Sequence, residues 1–131
     1  VVLTTRKNPR SLAGSPYLNE RGIDVEGISE SLLLYEGPAL EAVKHFPANV
    51  NVAATLSLAG LGAEKTKVKV IADPAITRNI HEVSVRGRFG EMTIIMQNVP
   101  HPSNPKSSYL AALSAIETIR SIAVTDIQVG T

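Results

Sequence analysis

The stretch from residue 49 to residue 60 reads Asn-Val-Asn-Val-Ala-Ala-Thr-Leu-Ser-Leu-Ala-Gly, and it constrains the chain more than any other. Val50, Val52, Ala53, Ala54, Leu56, Leu58 and Ala59 would surround a helix on every side. A helix apolar all round is expected to be buried on most of its surface, so it needs a sheet or other helices around it. Asn49 is placed to act as its N-cap, and Gly60 and Gly62 to stop it. The few polar side chains it carries therefore stand out. Asn51 and Thr55 are four apart and share one face. Burying an unpaired amide costs about 1–3 kcal/mol, so that face either bonds to neighbouring backbone or meets a ligand. Both readings are open. The free N–H groups and positive dipole end at the start of the helix would suit a carboxylate, a phosphate or an amide.

The segments on either side alternate in ways that predict strands. Residues 1–5 are apolar and β-branched, and Arg6-Lys-Asn-Pro9 reads as a basic turn in which Pro9 ends the strand. The chain opens on Val1 as a strand already in progress, which predicts a further domain ahead of it in a longer protein. Residues 14–30 hold four of the chain's breakers and read as an irregular connection, and residues 31–35 as a short buried strand. Pro38 suits the first position of a helix whose stripe is Leu40, Val43 and Phe46, with His45 on its exposed polar face. Residues 67–72 alternate charged and apolar side chains, and Asp73-Pro74 is a turn. Residues 80–86 and 91–97 are strands joined through 87–90 at hairpin length, with Met92, Ile94 and Met96 lining one face of the second.

After a proline-rich loop that holds His101, residues 106–120 form the longest helix, with Asn104 as cap, Pro105 at the first position, and Leu110, Leu113 and Ile116 along its face. Residues 126–131 read as a short final strand. The sum is an α+β chain of one domain, a mixed sheet with helices packed on one face.

His81 is the candidate for proton chemistry. It shares a strand face with Val83 and Val85, so it is either a core histidine bonded to backbone or a base at the mouth of a cleft. Lys106 stands in a first helical turn, where the dipole disfavours a cation unless an anionic ligand is near. With 131 residues the chain can bury a real core. Aromatics at 4% and a net charge of +1 argue against nucleic acid. No Cys is present, which excludes disulfides and thiolate metal sites, and no other metal-ligand spacing is found, so no metal is expected. No apolar run reaches membrane-spanning length, so no membrane partner is expected. A Gly-x-Gly-x-x-Gly after a strand is absent as well, so a dinucleotide would not be fully bound by these residues in the usual way.

Three long motifs in order resemble the C-terminal domain of L-aspartate dehydrogenase: Phe46-Pro-Ala-Asn-Val-Asn-Val-Ala-Ala-Thr-Leu-Ser-Leu-Ala-Gly60, Ala72-Asp-Pro-Ala-Ile-Thr-Arg-Asn-Ile-His-Glu82, and the run from Asn98-Val-Pro to Asn104-Pro-Lys-Ser-Ser-Tyr-Leu-Ala-Ala-Leu-Ser-Ala115. Thr4-Thr-Arg-Lys-Asn-Pro9 fits the same family. The resemblance implies the C-terminal fold of a two-domain NAD- or NADP-dependent dehydrogenase whose N-terminal Rossmann domain is absent from this chain. It implies a cytoplasmic homodimer that oxidises L-aspartate to iminoaspartate, which feeds NAD biosynthesis or hydrolyses to oxaloacetate and ammonia. It gives His81 the acid/base role and places Asn51 at the nicotinamide end of the cofactor. Asn49, Thr55, Arg78, Lys106 and Ser107 are the candidates for holding the substrate carboxylates. A dehydrogenase for another amino or hydroxy acid, and a non-catalytic oligomerisation or ligand-binding domain, are the alternatives.

Overall fold

The computed structural model describes residues 1–123; the side chains of Pro100 and of residues 104–107 lie outside the described set, as does the expected strand at 126–131. Residues 1–97 and the segment from Asn98 onward form two compact units.

In the first unit, β1 (Val2–Lys7), β2 (Leu32–Pro38), β3 (Lys67–Ala72), β4 (Asn79–Gly87) and β5 (Gly90–Asn98) form one sheet in the order β2-β3-β1-β4-β5. β1 runs parallel to β3 and antiparallel to β4, and β2 runs antiparallel to β3, so the sheet is mixed. A parallel neighbour needs a long crossover. The chain between β1 and β3 supplies it, with α1 (Pro16–Arg21), β2, α2 (Ala39–His45) and α3 (Asn51–Ala59). Period two then sorts the side chains. Leu3, Thr5 and Lys7 of β1 are buried together with Val68, Val70 and Ala72 of β3. Ala39, Ala42, Phe46, Val50 and Ala53, from α2, α3 and the turn between them, belong to the same core, as do Leu12 and Leu18. The expected α+β class with a mixed sheet is what the structure shows.

Several local expectations are corrected. β1 continues through Arg6 and Lys7, because Lys7 still pairs with Ala72; the basic turn begins only at Asn8. β2 is an edge strand, not a buried one. Leu32 and Leu33 are exposed, and an irregularity between Leu33 and Tyr35 turns Leu34 alone into the core. Pro38 ends β2 and caps α2 without being helical. Backbone bonds from Ala39 N to Thr66 O (2.8 Å) and Leu40 N to Ala63 O (3.1 Å) fix the rotation of α2. They turn Ala39 and Ala42 inward and leave Leu40 and Val43 exposed, so that of the expected stripe only Phe46 is buried. His45 is half-buried, edge-on to Tyr17 at 5.3 Å, rather than free on a polar face.

α3 departs furthest from expectation. Only Ala53 and Ser57, four apart, are buried, and Leu58 is 90% exposed. Small side chains let this one face pack closely, and Ser57 Oγ donates to Ala53 O at 2.7 Å, so its hydroxyl is satisfied. Val52 and Leu56 are half-buried against the same core, while Ala54, Leu58 and Ala59 lie exposed in the single chain. α1 falls inside the supposed irregular connection. Pro16 sits at its start and Gly22 ends it in the left-handed region (φ 61°), where its N–H reaches Leu18 O and Asn19 O.

The second unit is a hairpin of β6 (Pro100–His101) and β7 (Asn104–Ser108) followed by α4 (Tyr109–Ala123). Asn104 belongs to the hairpin, opposite His101, so it does not cap the helix. Ser108 does, its Oγ accepting from Ala111 N at 3.2 Å. No residue of α4 is buried, and Leu110, Leu113 and Ile116 face outward from it. Among the described residues no helix is long and apolar enough to cross a membrane.

Candidate active site

The C-terminal end of β1 builds the site, one residue at a time. Thr5 lies opposite His81 in the β1–β4 register, and both are buried. Their side chains meet with Thr5 Oγ1 3.1 Å from His81 Nδ1. Arg6, pointing the other way, pairs with Asp73 at 2.7 Å. Lys7 points inward again and donates from Nζ to Asn49 Oδ1 at 3.0 Å. Asn8 Nδ2 reaches Ile76 O at 3.4 Å. Four consecutive residues thus tie β1 to β4, to the loop at 73–78 and to the turn before α3. Asp73 shapes that loop by accepting from Ala75 N at 2.9 Å while its own N–H donates to Lys7 O at 2.8 Å. The Arg6 guanidinium, with the Ala75 N–H, holds the Asp73 carboxyl below its ordinary range.

His81 is 9% exposed. Burial pushes its pKa down to about 4, and the Lys7 charge pushes the same way. The ring is therefore neutral at pH 7. When Nδ1 carries the proton it donates to Thr5 Oγ1, and Nε2 is left with a lone pair. A hydroxyl partner accepts equally well from the imidazolium, so the contact survives protonation. The arrangement can take up a proton without repacking.

The other candidates are placed unequally. Asn49 is not the cap of α3. Val50 holds that position without a side-chain bond, and Asn49 is instead committed to Lys7. Asn51 is exposed at the first position of α3. Thr55 is exposed and donates to Asn51 O at 3.1 Å, so its hydroxyl serves its own helix. Arg78 is exposed in the loop before β4. Lys106 and Ser107 belong to β7 of the second unit, and their side chains lie outside the described residues. Thr5 and Lys7 had not been singled out from the sequence. The signal was present: continuing the alternation of Leu3 and Thr5 by one step puts Lys7 on the core face.

A buried neutral histidine makes the fold sensitive to acid. The folded pKa of about 4 lies below the ordinary 6.5. Between those values the unfolded chain binds a proton that the folded chain refuses, so the contribution is complete above pH 6.5 and lost as pH falls to 4. Its full size is up to about 3 kcal/mol. His81→Gln is expected to reduce the fall in the urea midpoint between neutral and acid pH; an equal fall in both proteins would show that His81 does not titrate this way.

Residues 1–122 match the family model described as "Aspartate dehydrogenase, C-terminal". The chain is 59% identical over all 131 residues to an L-aspartate dehydrogenase of Methanosarcina barkeri, and 60% identical over the same span to one of Methanococcoides burtonii. It covers 48% of each, so it spans about half the length of these curated relatives. Among solved structures it resembles the aspartate dehydrogenase of Thermotoga maritima with a TM-score of 0.70 at 32% identity, covering 98% of this chain and 46% of that one. A match along nearly the whole length, in sequence and in fold, means that the chain belongs to the aspartate dehydrogenase C-terminal domain family.

Proposed function

We propose that this chain is the substrate-handling part of an NAD- or NADP-dependent L-aspartate dehydrogenase, joined in the working enzyme to a Rossmann domain that binds the dinucleotide. The observation that carries the reading is a buried, neutral histidine whose Nδ1 is fixed by Thr5, beside a lysine and an asparagine, in a chain that matches aspartate dehydrogenases from end to end. His81 Nε2 takes a proton from the ammonium of bound aspartate, which frees the nitrogen lone pair to form the C=N bond of iminoaspartate. Bound nicotinamide would accept the hydride that leaves Cα. The iminoaspartate then enters NAD biosynthesis or hydrolyses to oxaloacetate and ammonia.

Asn51 suits the nicotinamide end of the cofactor. Its carboxamide is exposed at the start of a nine-residue helix whose cap, Val50, makes no side-chain bond, so an amide ligand meets both a side-chain amide and open backbone donors. We also read the working enzyme as a cytoplasmic homodimer. The exposed Met92, Ile94 and Met96 of β5, and the exposed apolar stripe of α4, support self-association. The test is the reverse reaction in the full-length protein that carries this chain, supplied with oxaloacetate, ammonia and NADH or NADPH. Loss of reduced-nicotinamide absorbance that requires both oxaloacetate and ammonia is expected. A folded full-length protein that is inert with either cofactor overturns the reading.

A further inference from the structure

The end of β1 carries a cation in a place where proteins seldom leave one. Lys7 is 6% exposed. Its ammonium has three donors, and one goes to the neutral Asn49 Oδ1 at 3.0 Å. No carboxylate of the described residues lies within ion-pair distance of it. Buried charges are ordinarily paired, because an unpaired one is costly to take out of water. Burial accordingly holds the Lys7 ammonium below the ordinary lysine range. Stability alone does not account for a lysine here: an apolar side chain of the same length would serve the core better. The place is also specific. Lys7 is two residues from Thr5 on the same face of β1, and Thr5 is the residue that holds His81.

We propose that Lys7 binds a carboxylate of the substrate, which supplies the ion-pair partner that the described residues do not provide and places the amino group of the same molecule at His81. The inference rests on the dehydrogenase reading of the site and names one of its substrate contacts. Asn49 steers the ammonium and shares its donors with the incoming anion. The lysine acts on His81 as well. Its charge helps to hold the imidazole neutral, and a carboxylate on Lys7 cancels that charge. The imidazole then becomes a stronger base once the substrate is seated, which confines proton transfer to the occupied site.

The test uses Lys7→Met and Lys7→Gln in the full-length enzyme. The first removes charge and donors; the second keeps a donor for Asn49 without the charge. Four quantities are read: KM for aspartate, the dissociation constant of the inert dicarboxylate succinate by calorimetry, KM for the nicotinamide cofactor, and the thermal midpoint. Loss of one charge-assisted hydrogen bond predicts a rise of about 10- to 100-fold in the first two for both variants. The cofactor KM should be unchanged, and the thermal midpoint of Lys7→Met equal or higher. Unchanged aspartate and succinate constants, or a lowered midpoint as the sole effect, overturn the proposal. If the parent enzyme does not oxidise aspartate, the wider reading fails by itself. Succinate binding to parent and variants then decides the role of Lys7.

Discussion

His81→Ala in the full-length enzyme lowers turnover with aspartate by about 10²–10⁴-fold, the usual worth of a positioned acid/base. The variant should still fold. Its first cost is the Thr5 hydroxyl left without a partner, about 1–3 kcal/mol. Against that, the alanine removes a buried titratable ring whose protonation opposes the fold in acid. The cofactor KM should stay close to that of the parent, since the proposed nicotinamide contact, Asn51, lies on another element. The pH dependence supplies a second readout. In the parent, kcat/KM should fall on the acid side as the imidazole becomes protonated, and the residual rate of His81→Ala should lack that limb. Turnover near the parent level, with the acid limb intact, would remove His81 from the chemistry and leave it as a core histidine.

The strands and helices that alternate cleanly were legible in the sequence, and so was the sheet they build. Residues 67–72 form β3 with its alternate residues buried, and the connection at 87–90 is a turn between two strands of the same sheet. Apolarity misled where it was mistaken for burial. Leu58, Leu40 and Leu33 have core composition, but the rotation of a helix or the edge position of a strand decides which side faces in, and composition does not encode rotation. Polarity misled in the opposite sense. A basic run followed by proline reads as a turn, which gives Lys7 no place in a strand, whereas parallel pairing with β3 carries it inward. That single register step separates a surface lysine from a buried cation beside the candidate base. His81 was legible because a histidine among valines of the same parity is unusual in itself. Its partner was not, because Thr5 is 76 positions away in the chain and only the antiparallel register brings the two together.

Phe46→Ala is expected to cost about 3–5 kcal/mol of stability, the range for emptying a fully buried aromatic position. Phe46 has no exposed surface and stacks on Tyr17 with ring centroids 5.0 Å apart, while Tyr35 approaches edge-on at 6.2 Å. Tyr17 is itself held by a hydrogen bond from its hydroxyl to Leu34 O, so it cannot easily move into the space left behind. A site that cannot collapse sits at the costly end of the range. Phe46 also ends α2, with its N–H on Ala42 O and its carbonyl accepting from Asn49 N at 2.9 Å. The cavity therefore opens at the root of the turn that presents Asn49 to Lys7. A drop in the urea midpoint at unchanged slope should be accompanied by a raised KM for aspartate. Phe46→Leu, which keeps most of the volume and leaves both backbone bonds available, should cost no more than about 1.5 kcal/mol and largely preserve KM. A Phe46→Ala enzyme with nearly normal stability would mean that the aromatic cluster does not anchor α2. A normal aspartate KM in a destabilised variant would mean that the turn holds Asn49 through its own backbone bonds alone.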